Sequence, residues 1–463
     1  MAGSIVYILL IVAEISSLSS WCKLCVWAAP DVFSKNSKNV MKNKKLLESI
    51  FLLSGTAIGS GMLSLPISMA KYGDLLLIIA IILLFVWVTY FSSVIRCDLN
   101  IYSDKRFSLQ DVGEYFSGNI ARQVGSISFK LLSYSLLSAY LCGASSLFSV
   151  FLQKFGITVW NQNLVIALFA ALILIMLTLP VGHIVKANKV LFISMLTVLF
   201  TVMITMLMKS DFGEYRGHIM DIFRPNLFLE IQDIPSLLFI LAFSVLAFPI
   251  VFTSFGHHVV LHSVTNLLDN DKKLIKRACF FGSAIPAVVY ISWTSCTVLV
   301  LLLGYEDGGF SKVLFQGKAT LEDLVIALTD ALNYSNLGTI IWVVSALALL
   351  TSAIGVAIAI FDEWKLFFEK RGHKSKITNA LITVLPAACI AAIVPNAFMN
   401  VLKVAGMILS VLAIFLPCFL YVKMAKMKNI TITKPRIVGI FTIVMIGVLI
   451  CISGIVELIF QIS

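Results

Sequence analysis

The chain has 463 residues, 59% of them hydrophobic and only 13% charged, with a formal charge of +11 and a mean hydropathy of +0.99. Charged residues make up about a quarter of an ordinary globular domain, so a soluble protein is excluded and a polytopic all-α membrane protein is expected. The positive charge is read as the basic bias of cytoplasmic loops rather than as a nucleic-acid footprint.

In chain order, residues 1–40 do not fit this pattern. Ile5 to Val12 is apolar but too short to span, and no basic residue precedes it as a signal peptide requires. Met41-Lys42-Asn43-Lys44-Lys45 makes a natural start, so residues 1–40 are expected to be an extension from a misassigned start codon, with an interfacial segment as the alternative. Residues 41–463 are expected to form one transporter domain. Eleven spans are predicted, over 46–70, 74–97, 126–153, 163–181, 188–208, 235–261, 278–304, 337–361, 377–395, 399–423 and 435–459. Each is set against a hydrocarbon core about 30 Å thick. Connections are short except around 209–234 and 305–336. Alternate loops carry the lysines and arginines, such as Lys42 to Lys45, Lys272 to Arg277 and Lys423 to Arg436, whereas the opposite set carries Asp211, Glu214, Glu306 and Asp307. That asymmetry puts the Met41 end in the cytoplasm and, after eleven crossings, the C-terminus in the periplasm.

Two spans contain stretches that a membrane helix has no use for. The first span holds Ser54-Gly55-Thr56-Ala57-Ile58-Gly59-Ser60-Gly61-Met62 and then Leu63-Ser64-Leu65-Pro66. The sixth holds Phe248-Pro249-Ile250-Val251-Phe252-Thr253-Ser254-Phe255-Gly256-His257-His258. Freed backbone polar groups at mid-depth cost several kcal/mol unless something satisfies them, so irregular backbone there is tolerated where it lines a cavity. Glycine permits the unwinding, and a half-helix N-terminus suits a carboxylate. The competing reading is a small-xxx-small packing face. The breaks lie five spans apart, as in a five-plus-five inverted repeat. Phe252 and Phe255 could offer stacking surface, although the chain has 33 phenylalanines.

His258 and His262 are four apart and would share a helix face, but no further ligand makes them a metal pair. A proton-handling role is open to His257 and His258, against a wet position at the cytoplasmic end near Lys272. Asp362 closes the eighth predicted span beside Glu363, as a solvated end or a coupling group. Lys130 and Lys403 are expected to snorkel, and Glu457 to be interfacial without a partner. Nine cysteines are scattered as small core residues, and the lone Cys22/Cys25 pair lacks companions. No phosphate-binding loop, zinc-protease motif or nucleophile elbow occurs, so neither ATP-driven transport nor catalysis is expected and no cofactor or metal is implied.

The motifs resemble those of the hydroxy and aromatic amino acid permeases of bacteria, the tyrosine-specific members nearest in pattern. Gly55-Thr56-Ala57-Ile58-Gly59-Ser60-Gly61-Met62-Leu63-Ser64-Leu65-Pro66 is similar to that family's GTxIGAGMLALP. Tyr134 to Ala144, Ile250 to Gly256 followed by His258, Gly282 to Pro286 and Gly355 to Asp362 match further motifs in order, from about Met41 to the end. The resemblance implies a LeuT-like five-plus-five fold with an eleventh helix, in the bacterial inner membrane. It implies proton-driven import of an aromatic amino acid, tyrosine before tryptophan; another neutral amino acid such as serine, or a receptor that binds without transport, are the alternatives. Gly55, Thr56, Gly59, Ser60 and Gly61, completed by Phe252, Thr253, Ser254, Phe255 and Gly256, would hold the substrate's head group, with Tyr140 nearby. The partners implied are the amino acid, protons and the bilayer, with no nucleic acid and no protein partner. His257 stands where the pattern has an aromatic residue and His262 where it has proline.

Overall fold

An apolar segment in lipid satisfies its own backbone groups by coiling into a helix, and the computed structural model is built that way. It describes residues 37–69, 75–103, 108–153, 161–209, 244–303, 320–331, 335–369, 371–372, 375–394 and 398–462. Among them, all regular structure is helical. Most of residues 1–40, where an extension was expected, and most of the two long connections lie outside the described residues.

Among the described residues, nine of the eleven predicted spans coincide with helices long and apolar enough to cross a membrane, and the fourth is a shorter apolar helix. The start of the sixth predicted span lies outside the described residues. The first is a bent pair that passes as one span, α1 (Ser37–Ala57) and α2 (Ser60–Met69), with 50° between their axes. There follow α3 (Leu75–Tyr102), the short α4 (Leu109–Ser117), α5 (Asn119–Gln153), α6 (Gln162–Thr178) and α7 (Val181–Lys209). The sixth span is broken into a 3-10 turn, α8 (Phe248–Ser254), a second 3-10 turn over His257–Val260 and α9 (Leu261–Leu267). After it come α10 (Lys272–Leu303), α11 (Leu321–Ala331), α12 (Ser335–Glu369) and α13 (Lys376–Ile393). The tenth span is α14 (Phe398–Ser410), a π turn over Val411–Phe415 and α15 (Leu416–Met427); α16 (Lys434–Ile462) is the last. The π widening sits where Pro417 has no N–H to donate to the turn before it.

The broken spans occupy the middle of the bundle. α10 packs on α1 and α3 on one side, while α5 packs on α12 and α14 on the other, and α8 lies against α14. Small residues set the closest approach: a Cβ added at Gly406 of α14 would fall 2.2 Å from the carbonyl oxygen of Pro249 in α8, so the two backbones touch there.

Two helices lie in connections that the hydropathy pattern leaves blank. α4 is held by Ser108, whose Oγ accepts from the Asp111 N–H at 3.4 Å, and ends at Gly118, where φ is +81°. It buries Val112 and Phe116 against the bundle while Glu114 pairs with Arg122 at 2.9 Å. Its amphipathic character, with one polar face, hides it from a search for uniformly apolar runs.

Three charged residues depart from expectation. Lys403 does not snorkel and Glu457 is not alone: they form an ion pair at 3.1 Å between α14 and α16, with side chains 5% and 13% exposed. A pair desolvated together is what lets two charges sit within apolar spans. Asp362 does not close its span, because α12 runs on to Glu369. Lys130 places its Nζ 4.2 Å from the Trp364 ring centroid, a cation–π contact.

At one end of the bundle Lys42 meets Asp271 at 3.6 Å and Lys45 meets Asp269, tying the start of α1 to the turn between α9 and α10. Lys272 stacks on Tyr102 at the end of α3. This basic end is the reference for the site below.

Candidate functional site

The two breaks meet. α1 stops at Ala57, Ile58 and Gly59 make the bend, and α2 begins at Ser60. α8 stops at Ser254, and Phe255 and Gly256 lead into the 3-10 turn, with Gly256 N–H donating to the Thr253 carbonyl at 3.0 Å. A Cβ built on Gly61 would lie 2.6 Å from Ser254 Cβ and 2.7 Å from its Cα, so only hydrogen fits between the breaks. A Cβ on Gly59 would lie 1.8 Å from Ser352 Oγ, which places α12 directly over the first bend.

One side chain links both interruptions. The buried Tyr290 of α10 puts its hydroxyl 2.6 Å from the Ala57 carbonyl and 2.6 Å from the Ser254 carbonyl, the last residues of α1 and α8. Carbonyls at helix C-termini lack an intrahelical donor. The phenol has a single proton to offer, so it serves one of the two at a time while staying within reach of the other. Its ring meets Phe255 edge to face at 5.2 Å.

A cavity of about 860 Å³ runs from this level toward the basic end. Its deep wall carries Gly55, Thr56, Tyr140 and Ser352, and its outer wall Glu48, Lys189, Asp362 and Glu363. The volume falls within the range of small-molecule sites. Leu412 and Ala413 of the π turn also reach it, in keeping with the placement of such widenings at functional positions.

Of the residues singled out from the sequence, Gly55, Thr56, Tyr140, His258, His262, Asp362 and Glu363 line this cavity. The other residues singled out in the two breaks do not line it. Phe252 is fully buried against Phe85 at 5.9 Å, and Phe255 is fully buried on Tyr290. The Thr253 hydroxyl lies 2.7 Å from the Pro249 carbonyl and 3.0 Å from that of Leu402, and Ser254 donates to Ile250 at 2.9 Å. Thr56 likewise donates to Leu52 at 2.6 Å. Ser60 opens α2.

The histidines separate. His262 is exposed, with Ser263 Oγ at 3.2 Å, as a wet position would be. His257 and His258 are buried instead, pressed between the sixth span and α3. His258 Nε2 lies 2.8 Å from Ser92 Oγ, and His257 Nε2 lies 3.1 Å from Ser93 Oγ. The rings stack at 5.1 Å, and each Nδ1 is buried without a hydrogen-bond partner. Among the described residues, no group of three or more His, Cys, Asp or Glu is arranged to hold a metal ion.

Sequence reasoning passed over Tyr290, Ser92, Ser93 and Arg96. The hydroxyls of Ser92 and Ser93 interrupt an apolar run and were a usable signal; Tyr290 was not distinguishable among the aromatic residues of its span. Arg96 falls at the edge of the predicted second span, but α3 continues to Tyr102 and leaves Arg96 buried.

Comparison with known proteins is consistent along the chain. The profile of the tryptophan/tyrosine permease family matches residues 42–457. Tyrosine-specific transport system 2 of Haemophilus influenzae is 28% identical over 81% of this chain and 87% of its own. The low affinity tryptophan permease of Escherichia coli K12 is 23% identical over 81% and 86%. Glutamine transporter 2 of Aliivibrio fischeri is 25% identical over 84% and 91%. Among solved structures, MhsT in complex with L-phenylalanine superposes with a TM-score of 0.59 at 14% identity, covering 88% of this chain and 98% of that one. A manganese transporter of Eremococcus coleocola gives 0.58, also at 14% identity, over 92% and 87%. These likenesses establish the LeuT-like fold.

Proposed function

The chain belongs to the tryptophan/tyrosine permease family, and on that premise we propose that it imports an aromatic amino acid across the bacterial inner membrane by proton symport. It is a multi-pass transporter and not an enzyme. Tyrosine is the first substrate in this reading and tryptophan the second. The observation that carries it is the meeting of the two breaks at Gly61 and Ser254, beside the deep wall of one elongated cavity.

The head group is assigned to the breaks. Gly55, Thr56, Gly59, Ser60 and Gly61 form one side of that site and Phe252, Thr253, Ser254, Phe255 and Gly256 the other. The N-terminus of α2 presents a positive dipole end to the carboxylate. Tyr140, on the same deep wall, meets the ring in this reading. With the basic loops in the cytoplasm, a cavity reaching the basic end corresponds to the inward-facing stage of alternating access. In that stage Gly55, Thr56 and Tyr140 face the substrate's path, and the remaining residues join them when the half-spans close.

Protons are assigned to His258, which reaches the cavity and is held by Ser92, with His257 stacked behind it and Asp362 on the outer wall. An imidazole is the side chain whose charge changes near neutral pH, and in this reading the buried His258 takes and gives its proton when water reaches it from the cavity.

The test is uptake of labelled tyrosine and tryptophan in proteoliposomes with and without a pH gradient. Uptake that collapses on adding a protonophore supports symport; uptake that ignores the proton gradient and follows sodium overturns the coupling. The relative named as a glutamine transporter favours one second reading, a neutral polar amino acid as cargo. Competition by unlabelled tyrosine, tryptophan, serine and glutamine separates the two.

A further inference from the structure

α3 carries a polar stripe in an otherwise apolar helix: Ser92, Arg96 and Asn100 recur every four residues and so lie on one face. The stripe starts at the second break, where Ser92 meets His258, and descends toward the basic end. Arg96 is 5% exposed and lines the cavity. Its guanidinium donates to Asn100 Oδ1. Among the described residues no carboxylate lies within ion-pair distance of it. Glu48, Asp362 and Glu363 line the same cavity without reaching it, and Glu363 is occupied by the Gln110 amide at 2.8 Å. A guanidinium has five N–H donors and never releases its charge. Asp111 of α4 acts on it electrostatically but makes no ion pair with it. A guanidinium held within a membrane span without a salt bridge is a charge of high cost that marks a functional place.

We propose that Arg96 is a docking point for the carboxylate of the transported amino acid, one stage nearer the basic end than the site between the breaks. The inference rests on the reading that the broken spans hold the head group. Arg96 stands one helical turn from Ser92, about 6 Å along the axis, a step comparable to the length of an amino acid's head group. The planar fork of guanidinium matches a carboxylate in two parallel hydrogen bonds. A substrate leaving the breaks thus exchanges the dipole of α2 for a full positive charge before it reaches the mouth. Chloride could meet the same charge, and the experiment distinguishes it.

The experiment measures the concentration dependence of labelled tyrosine entry into inside-out and right-side-out membrane vesicles, for the wild type and Arg96→Gln. Half-saturation from the basic face is expected to rise about tenfold, the order of one lost hydrogen bond to a charged group, and by less than a third of that from the opposite face. Inhibition by tyramine, which has no carboxylate, is expected to change less than twofold. Arg96→Lys keeps the charge without the fork, supplies the readout if the glutamine variant does not accumulate, and should shift basic-face half-saturation in the same direction. Unchanged half-saturation on the basic face in an accumulating variant, or equal effects on tyramine and tyrosine, overturns the proposal. So does a wild type in which replacing chloride by isethionate produces the same shift as the substitution, because the occupant is then an inorganic anion. A wild type that moves no amino acid from either face refutes the transport reading itself, which is a separate outcome.

Discussion

Tyr290→Phe removes one hydroxyl and keeps the ring that packs edge to face on Phe255. In the wild type that hydroxyl is 2.6 Å from both the Ala57 and the Ser254 carbonyl oxygens. Both carbonyls end helices, so neither has a donor from its own helix to fall back on. Leaving a buried acceptor unsatisfied costs about 1–3 kcal/mol. The phenol has one proton, so the loss counts once, and we expect about 2 kcal/mol in the middle of that range. If all of this falls on the arrangement of the two breaks, the functional population drops by about 30-fold. The measurements are apparent melting temperature in detergent and tyrosine counterflow in proteoliposomes at matched protein content. The expected result is a lowered melting temperature together with counterflow reduced by an order of magnitude. Wild-type melting and wild-type counterflow in Tyr290→Phe would refute the reasoning, since neither carbonyl then depends on the phenol.

Gly61→Ala should abolish counterflow while the protein still inserts, because its Cβ meets the Cα and Cβ of Ser254 at 2.7 and 2.6 Å and one break must move; normal exchange would show that the contact yields freely. Lys403→Met leaves the buried Glu457 carboxylate without its ion pair, a loss of about 3–5 kcal/mol, read as a large fall in melting temperature. The double variant Lys403→Met/Glu457→Leu should recover most of it, and failure to recover would place the role elsewhere. His258→Ala should alter the dependence of uptake on pH between about 5 and 8; an unchanged profile removes that imidazole from proton handling.

The spans were legible because a bilayer imposes one length and one composition on each of them. The breaks were legible for the converse reason: glycines and hydroxyls crowd the stretches around Gly59 and Gly256, where the helices are interrupted, and their recurrence five spans apart favoured a break over a packing face. What the pattern concealed is what depends on partners distant in the chain. Lys403 and Glu457 look like two isolated errors until α14 and α16 are laid together. Arg96 looks terminal because the apolar run weakens there, although the helix goes on for more than a turn. Tyr290 is one aromatic among many in a hydrophobic segment, and only the positions of Ala57 and Ser254 give its hydroxyl a purpose. The amphipathic α4 escaped notice because a half-polar helix never reaches the hydropathy of a span.

The ion pairs at the basic end bear on how such a molecule moves. Lys42 and Lys45 fasten the start of α1 to Asp271 and Asp269, just past α9. The outer halves of the two broken spans are therefore moored to each other at their tips. At the other end, the break of each span lies within hydrogen-bond reach of the Tyr290 oxygen. The two broken spans are thus linked twice, at the exposed tips by charge and in the bundle by one hydroxyl, so that a shift of one at the mouth bears on the other. The outer link is solvent-exposed and weakened by salt, whereas the inner one is sealed in the bundle, so ionic strength on that face acts on the first and leaves the second unchanged.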